Sequence, residues 1–218
     1  MKTSYRSYRL FATVLILLIA SQLAAGQEKK KAAYAIMIDS TGSMRSQFDT
    51  VIRIGKEIAH QVHDRGPVSV FSFERAPARG DSHAYLTPRV EYTQDERLLN
   101  KAFDDIYVEA GQTTLLDAIE LMAERLNKQA SASAKFIVLI TDGEERASKS
   151  RAPQLIEELK SQNIKVYSIG LVQDLEPKAR QKATDLLKKI SLETGGQAVI
   201  AEPGIVDVQS LVRELALP

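Results

Sequence analysis

The sequence predicts an α/β domain with a doubly wound, mostly parallel central sheet, helices on both faces and one short antiparallel edge strand. Three observations predict it. Short apolar runs, mostly rich in β-branched or aromatic residues, recur along the chain. Helical patterns with three-and-four spacing lie between them. The 218 residues suffice for one such domain with a full-sized core. The longest runs show little polar alternation, as strands covered on both faces do.

The runs expected as strands are Tyr34–Ile38, Val68–Phe73, Phe136–Ile140, Ile164–Ile169 and Ala198–Ile200. After the first, Phe48, Val51, Ile52, Gly55, Ile58, Ala59 and Val62 fall on one helix face. The polar, turn-rich stretch from Arg75 to Thr93 has room for the edge strand around Arg89–Tyr92. Leu115, Ile119, Met122 and Leu126 mark the next helix. Leu155, Ile156 and Leu159 mark a third, with Pro153 suited to its first turn. Ala179, Ala183, Leu186, Leu187 and Ile190 follow, headed by Pro177, and Leu211, Val212 and Leu215 close the pattern. Right-handed crossovers then join the strands. No internal repeat or second domain boundary is evident.

Composition removes whole classes of function. Hydrophobic residues are 44% and charged residues 26%, which excludes a disordered tail and a polytopic membrane protein. Lys plus Arg is 29 against 28 Asp plus Glu, a balance that suggests no nucleic-acid partner. Without Cys there is no disulfide, no thiolate nucleophile and no Cys-ligated metal.

Residues 1–26 read as a secretory signal peptide. Lys2, Arg6 and Arg9 precede the apolar run Leu10–Ala20, and Ala24 and Gly26 supply the small residues of a cleavage site after Gly26. The run is marginal for crossing a hydrocarbon core of roughly 30 Å, so removal is favoured over the alternative of an N-terminal anchor. Residues 27–31 read as a short solvated tether and 32–217 as the domain, exported to a periplasm or outside the cell. Removing three basic residues and no acidic one leaves 26 positive against 28 negative, a mildly acidic mature chain.

In sheets of this kind ligands bind beyond the carboxyl ends of the strands. Two strands end in aspartate: AIMIDSTGSM places Asp39 at one exit with Thr41 and Ser43 behind it, and FIVLITDGEE places Asp142 at another. EAGQTTLLDAI brings Thr113 and Thr114 to the start of a helix. Carboxylates with hydroxyls suit a hard cation such as Mg2+, which takes six oxygens and keeps waters beside one or two carboxylates. Neutral hydroxyls neutralise the ion poorly, leaving it open to a carboxylate on another protein.

These residues resemble a known family. Asp39-Ser40-Thr41-Gly42-Ser43, Thr113 after Gly111-Gln112, and Asp142-Gly143 after a buried strand look like the metal-ion-dependent adhesion site of von Willebrand factor type A domains. Leu187–Gln197 (LKKISLETGGQ) resembles the final helix-to-strand turn of bacterial members. The resemblance implies that Asp39, Thr41, Ser43, Thr113 and Asp142 carry Mg2+ or Mn2+, some of them through water. It also implies a noncatalytic, protein-binding module. Two departures stand out: Thr41 replaces a Ser and keeps its hydroxyl, and Gln112 replaces a usual Gly before Thr113.

Duller roles compete at several positions. Asp39 and Asp142 suit strand-end turns. Ser43 suits a cap for a helix starting near Met44, and Thr114 with Asp117 suits a variant capping box. His60 and His63, three apart on the first helix, lack an evident third zinc ligand and read as helix surface. Glu144-Glu145 reads as a solvated pair. A Mg2+-dependent hydrolase or phosphatase on the same scaffold is the alternative function, although Thr41 stands where an aspartyl phosphatase needs a second Asp. No G-x-S-x-G or P-loop is present. A degenerate domain without its metal is a third reading.

Overall fold

The computed structural model describes residues 32–75, 84–109, 113–129, 132–202 and 206–218. The expected leader and tether, Gly111 and Gln112 lie outside the described residues. In chain order the elements are β1 (Ala32–Asp39), a 3-10 turn (Gly42–Gln47), α1 (Phe48–Val62), β2 (Val68–Arg75), β3 (Ala84–Thr93), α2 (Glu96–Asp104) and α3 (Leu115–Gln129). Then come β4 (Ala134–Thr141), α4 (Ala152–Ser161), β5 (Ile164–Gly170), α5 (Pro177–Glu193), β6 (Ala198–Ile200) and α6 (Val208–Glu214).

The six strands form one sheet in the order β3-β2-β1-β4-β5-β6, with β3 antiparallel and the rest parallel. β1 shows why it is central. Tyr34, Ile36 and Ile38 enter a core shared with α1, α2 and α6, while Ala33, Ala35 and Met37 enter a second core shared with α3, α4 and α5. Successive side chains of a strand point to opposite faces, so a continuous apolar run fills both cores at once. Tyr34 also stacks on Phe136 of β4, with ring centroids 5.1 Å apart.

The edges are less regular. The edge strand runs over ten residues, longer than the stretch around Arg89–Tyr92 that its apolar content marks. Its register with β2 shifts between Val68 and Val70 and again between Val70 and Phe71, and Pro88 lies opposite Phe71. At the other edge β6 has only three residues. Helix α2 is a second departure from the sequence reading. Leu99, Ala102 and Phe103 are buried on its inner face, and the Asp95 carboxylate caps it by accepting from the Arg97 amide at 2.9 Å. The spacing and the cap are helix signals that a polar neighbourhood obscured. Among the described residues no helix is long and apolar enough to cross a membrane.

Chain direction sets the position of the site. From β1 the chain builds outward to β2 and β3; from β4 it builds the other way to β5 and β6. The carboxyl ends of β1 and β4 therefore flank the point where strand order reverses, the place where such sheets open a crevice.

Candidate metal centre

Asp39 is the last residue of β1 and is fully buried. One residue beyond the last registered pair, Ile38 with Ile140, the hydroxyl of Thr141, the last residue of β4, donates to Asp39 Oδ2 at 2.6 Å. Thr41 donates to Asp39 Oδ1 twice, from its amide at 3.0 Å and its hydroxyl at 2.7 Å. The hydroxyl of Thr41 is also 3.1 Å from that of Ser43 and 3.3 Å from that of Thr113. Asp39, Thr41, Ser43 and Thr113 thus form one chain of oxygens. Asp142, immediately after β4, completes the group: it lines the same cavity as Ser43, and its charge acts on Asp39. The fold brings together all five residues singled out from the sequence.

Neighbouring backbone holds this arrangement. Ser40 donates its hydroxyl to the Phe73 carbonyl and accepts the Glu109 amide on its own carbonyl at 2.7 Å. The Arg146 amide donates to the Thr113 carbonyl at 3.2 Å, tying the third segment to the loop after β4. Gly143 has φ +74°, and a Cβ there would lie 2.9 Å from Leu187 Cδ1, so the turn after Asp142 needs glycine twice over.

Electrostatics make the pocket unusual. Burial raises the Asp39 carboxyl to about 7, the charge on Asp142 adds to the rise, and hydrogen bonds from Thr141 and Thr41 offset part of it. Asp142 is raised as well, again chiefly by burial, against hydrogen bonds from Ser43 and the Glu144 amide. Among the described residues its Oδ2, which is buried, finds no hydrogen-bond partner. Two buried carboxylates repel each other, and one of their oxygens faces no donor. This is the environment that a small cation relieves. The donor set of two carboxylates and three hydroxyls fits Mg2+ or Mn2+, both of which prefer oxygen.

Beside the pocket lies a cavity of about 290 Å³ lined by Ser43, Asp142, Glu144, Arg146, Asp174 and Glu176, among others. Arg146 pairs with Glu144 at 2.6 Å. The rim is therefore mixed in charge, and Asp142 is part of its lining.

Several duller readings change here. Ser43 caps no helix: the residues after it form a 3-10 turn preceded by Thr41, and α1 starts only at Phe48. The capping box at Thr114 does not form, and the buried Thr114 hydroxyl has no partner. The first amides of α3 are met from a distance, Leu116 by Glu145 Oε2 at 3.0 Å and Asp117 by the Ser148 hydroxyl at 3.2 Å. Glu145 is correspondingly no solvated residue, since it also accepts from the amides of Ala147 and Ser148. Asp117 returns the favour by accepting from the amides of Lys149 and Ser150. Sequence reasoning missed Thr141 and Glu145, because pairings made across the fold leave no local spacing to read.

The family model described as von Willebrand factor type A domain matches residues 35–214. No curated protein sequence matches the chain. Among solved structures, an aerotolerance-related membrane protein from Bacteroides fragilis NCTC 9343 is similar at TM-score 0.62 and 16% identity, over 85% of this chain and 96% of that one. The pilus adhesin SpaC from Lactobacillus rhamnosus GG is similar at 0.64 and 14%, over 87% of this chain and 30% of that one. The manganese-loaded TRAP protein of Plasmodium vivax gives 0.59 and 16%, over 85% and 73% respectively. At these identities the likeness is one of fold. The family match over most of the sequence, on this doubly wound sheet, places the chain in the von Willebrand factor type A domain family.

Proposed function

We propose that this chain is an exported, noncatalytic protein-binding module that grips a carboxylate of a partner protein through a divalent cation. Asp39, Thr41, Ser43, Thr113 and Asp142 would hold Mg2+, or Mn2+ in its place. Bound there, the cation would supply an electrophilic centre for an outside carboxylate. The observation that carries this reading is the pair of buried carboxylates with an unpartnered oxygen on Asp142, facing hydroxyls that add no negative charge.

The chain's own residues divide the work. Thr141 and the Thr41 amide fix the orientation of Asp39. The Glu144 amide holds one oxygen of Asp142 and leaves the other without a donor, free for a cation. Hydroxyl donors leave the cation with residual positive charge, which favours an anionic partner over water. Support for a binding role comes also from fold relatives described as a pilus adhesin and a pili tip protein, and support for a divalent ion from a relative described as manganese-loaded. Residues 1–26, read as a leader, and 27–31, read as a tether, would put the domain in a periplasm or outside the cell.

Calorimetric titration of Mg2+, then Mn2+, into the wild-type chain and Asp39→Ala tests this. One ion per chain is expected for the wild type and none for the variant, whose circular dichroism should be unchanged. Full metal affinity in Asp39→Ala would remove the site assignment. A pull-down with and without chelator would then seek the partner.

A further inference from the structure

The end of α1 remote from the metal centre carries His60 and His63, and the fold supplies the third ligand that local sequence lacks. Glu96, the first residue of α2, has its Oε1 2.7 Å from His60 Nδ1. Ring centroids of the two histidines are 6.0 Å apart, and one ligand atom from each of His60, His63 and Glu96 lies within 4.8 Å of the others. We propose that these three residues form a second metal site, one that takes Zn2+ and staples α1 to α2.

The chemistry differs from that of the first site. Two imidazoles and one carboxylate, with water in the fourth position, are a donor set zinc accepts, whereas Mg2+ prefers oxygen alone. Bonds of about 2.0–2.1 Å in a tetrahedron put ligand atoms roughly 3.3 Å apart, and one ligand atom from each of these three residues already lies within 4.8 Å of the others. Asp64 Oδ1 is 3.3 Å from His63 Nδ1, placed behind that ring as carboxylates are behind zinc-binding histidines. Glu57 and Asp64 both add negative field at His60.

The platform is rigid, as a metal site requires. Phe103 of α2 packs directly on Gly55 of α1, where a Cβ would lie 2.5 Å from its ring. Lys56 pairs with Asp104 at 2.5 Å, so cross-helix ion pairs 56–104 and 60–96 bracket the contact. Gln94 donates to the His63 carbonyl at 2.8 Å, fixing the approach to α2. Residues three apart on a helix share a face, and here that face looks onto the start of α2.

The test is Zn2+ titration by calorimetry into the full chain at pH 7.5 with excess Mg2+ present. One Zn2+ per chain is expected, with His60→Ala and Glu96→Gln each weakening it at least tenfold and the double variant His60→Ala/His63→Ala abolishing it. These side chains are wholly or partly solvent-facing, and circular dichroism of each variant checks the fold. An unchanged Zn2+ isotherm in the double variant, or no saturable Zn2+ binding by the wild type, overturns the proposal. The readout stands apart from the first site: a chain that bound no Mg2+ would still report Zn2+ at His60 and His63.

Discussion

Asp142 directs one carboxylate oxygen to the amide of Glu144 and leaves the other buried without a donor. An unsatisfied buried charge costs free energy in a structural role, and makes sense where a ligand completes it. Glu74 shows a related strain, unconnected with metal. It is buried at the end of β2, and burial, with a hydrogen bond and charge from Glu109, raises its carboxyl to about 7. Between about pH 4.5 and 7 the folded chain therefore holds a proton that the unfolded chain has released. Its stabilising effect is complete below that window and is lost as pH rises through 7. Glu74→Gln keeps a donor toward Glu109 at every pH. The variant should match wild type at pH 5 and exceed it at pH 8 by about 1 kcal/mol, or ~2–4 °C in Tm. Melting curves at the two pH values, at constant Mg2+, give the answer; parallel shifts would show that Glu74 does not carry the dependence.

Among elements, α1 and α2 make the most revealing pair. The first was legible because Val51, Gly55, Ile58, Ala59 and Val62 repeat at helical spacing over four turns. The second was hidden because its buried face is three residues, Leu99, Ala102 and Phe103, in an otherwise polar stretch. Their close approach depends on Gly55. In Gly55→Ala the new methyl meets the Phe103 ring at 2.5 Å, and overpacking of this kind costs about 1–3 kcal/mol. That outweighs the ~1 kcal/mol an Ala gains over Gly in a helix. Urea unfolding should show net destabilisation near 1 kcal/mol, and a variant as stable as wild type would mean that Phe103 turns aside freely. The loop after β4 teaches a complementary lesson. Asp142 at its start was readable from the strand ending, but the clasp of Glu145 and Asp117 between this loop and α3 was not. Its partners are 29 to 33 residues apart and no short motif encodes them.

For the whole molecule, the doubly wound sheet followed from the alternation of strand-length and helical segments, since β1 and β4 were nearly continuous apolar runs and the others short runs between helical patterns. The five candidate residues were legible for a related reason: neighbouring parallel strands deliver their ends to one edge, so Asp39 at the end of β1 and Asp142 just after β4 come close. What escaped was the short buried face of α2 and the pairings made across the fold, such as Thr141 with Asp39 and Glu145 with Leu116. Binding at the shared edge should register in global stability. At a hundredfold excess over its Kd, Mg2+ adds about 2.7 kcal/mol, which for a chain of this size raises Tm by roughly 5–10 °C. Asp39→Ala should show no such rise, and an equal rise in the variant would place the ion elsewhere. The two margins of the sheet carry a different consequence. On one side β3 is broken in register and carries Pro88, which has no amide hydrogen to offer; on the other β6 is three residues long. Neither margin is a template for strand addition, so the chain is guarded against edge-to-edge aggregation. Copies of the chain that meet in solution thus find short or broken strand edges rather than a long, regular one on which to pair.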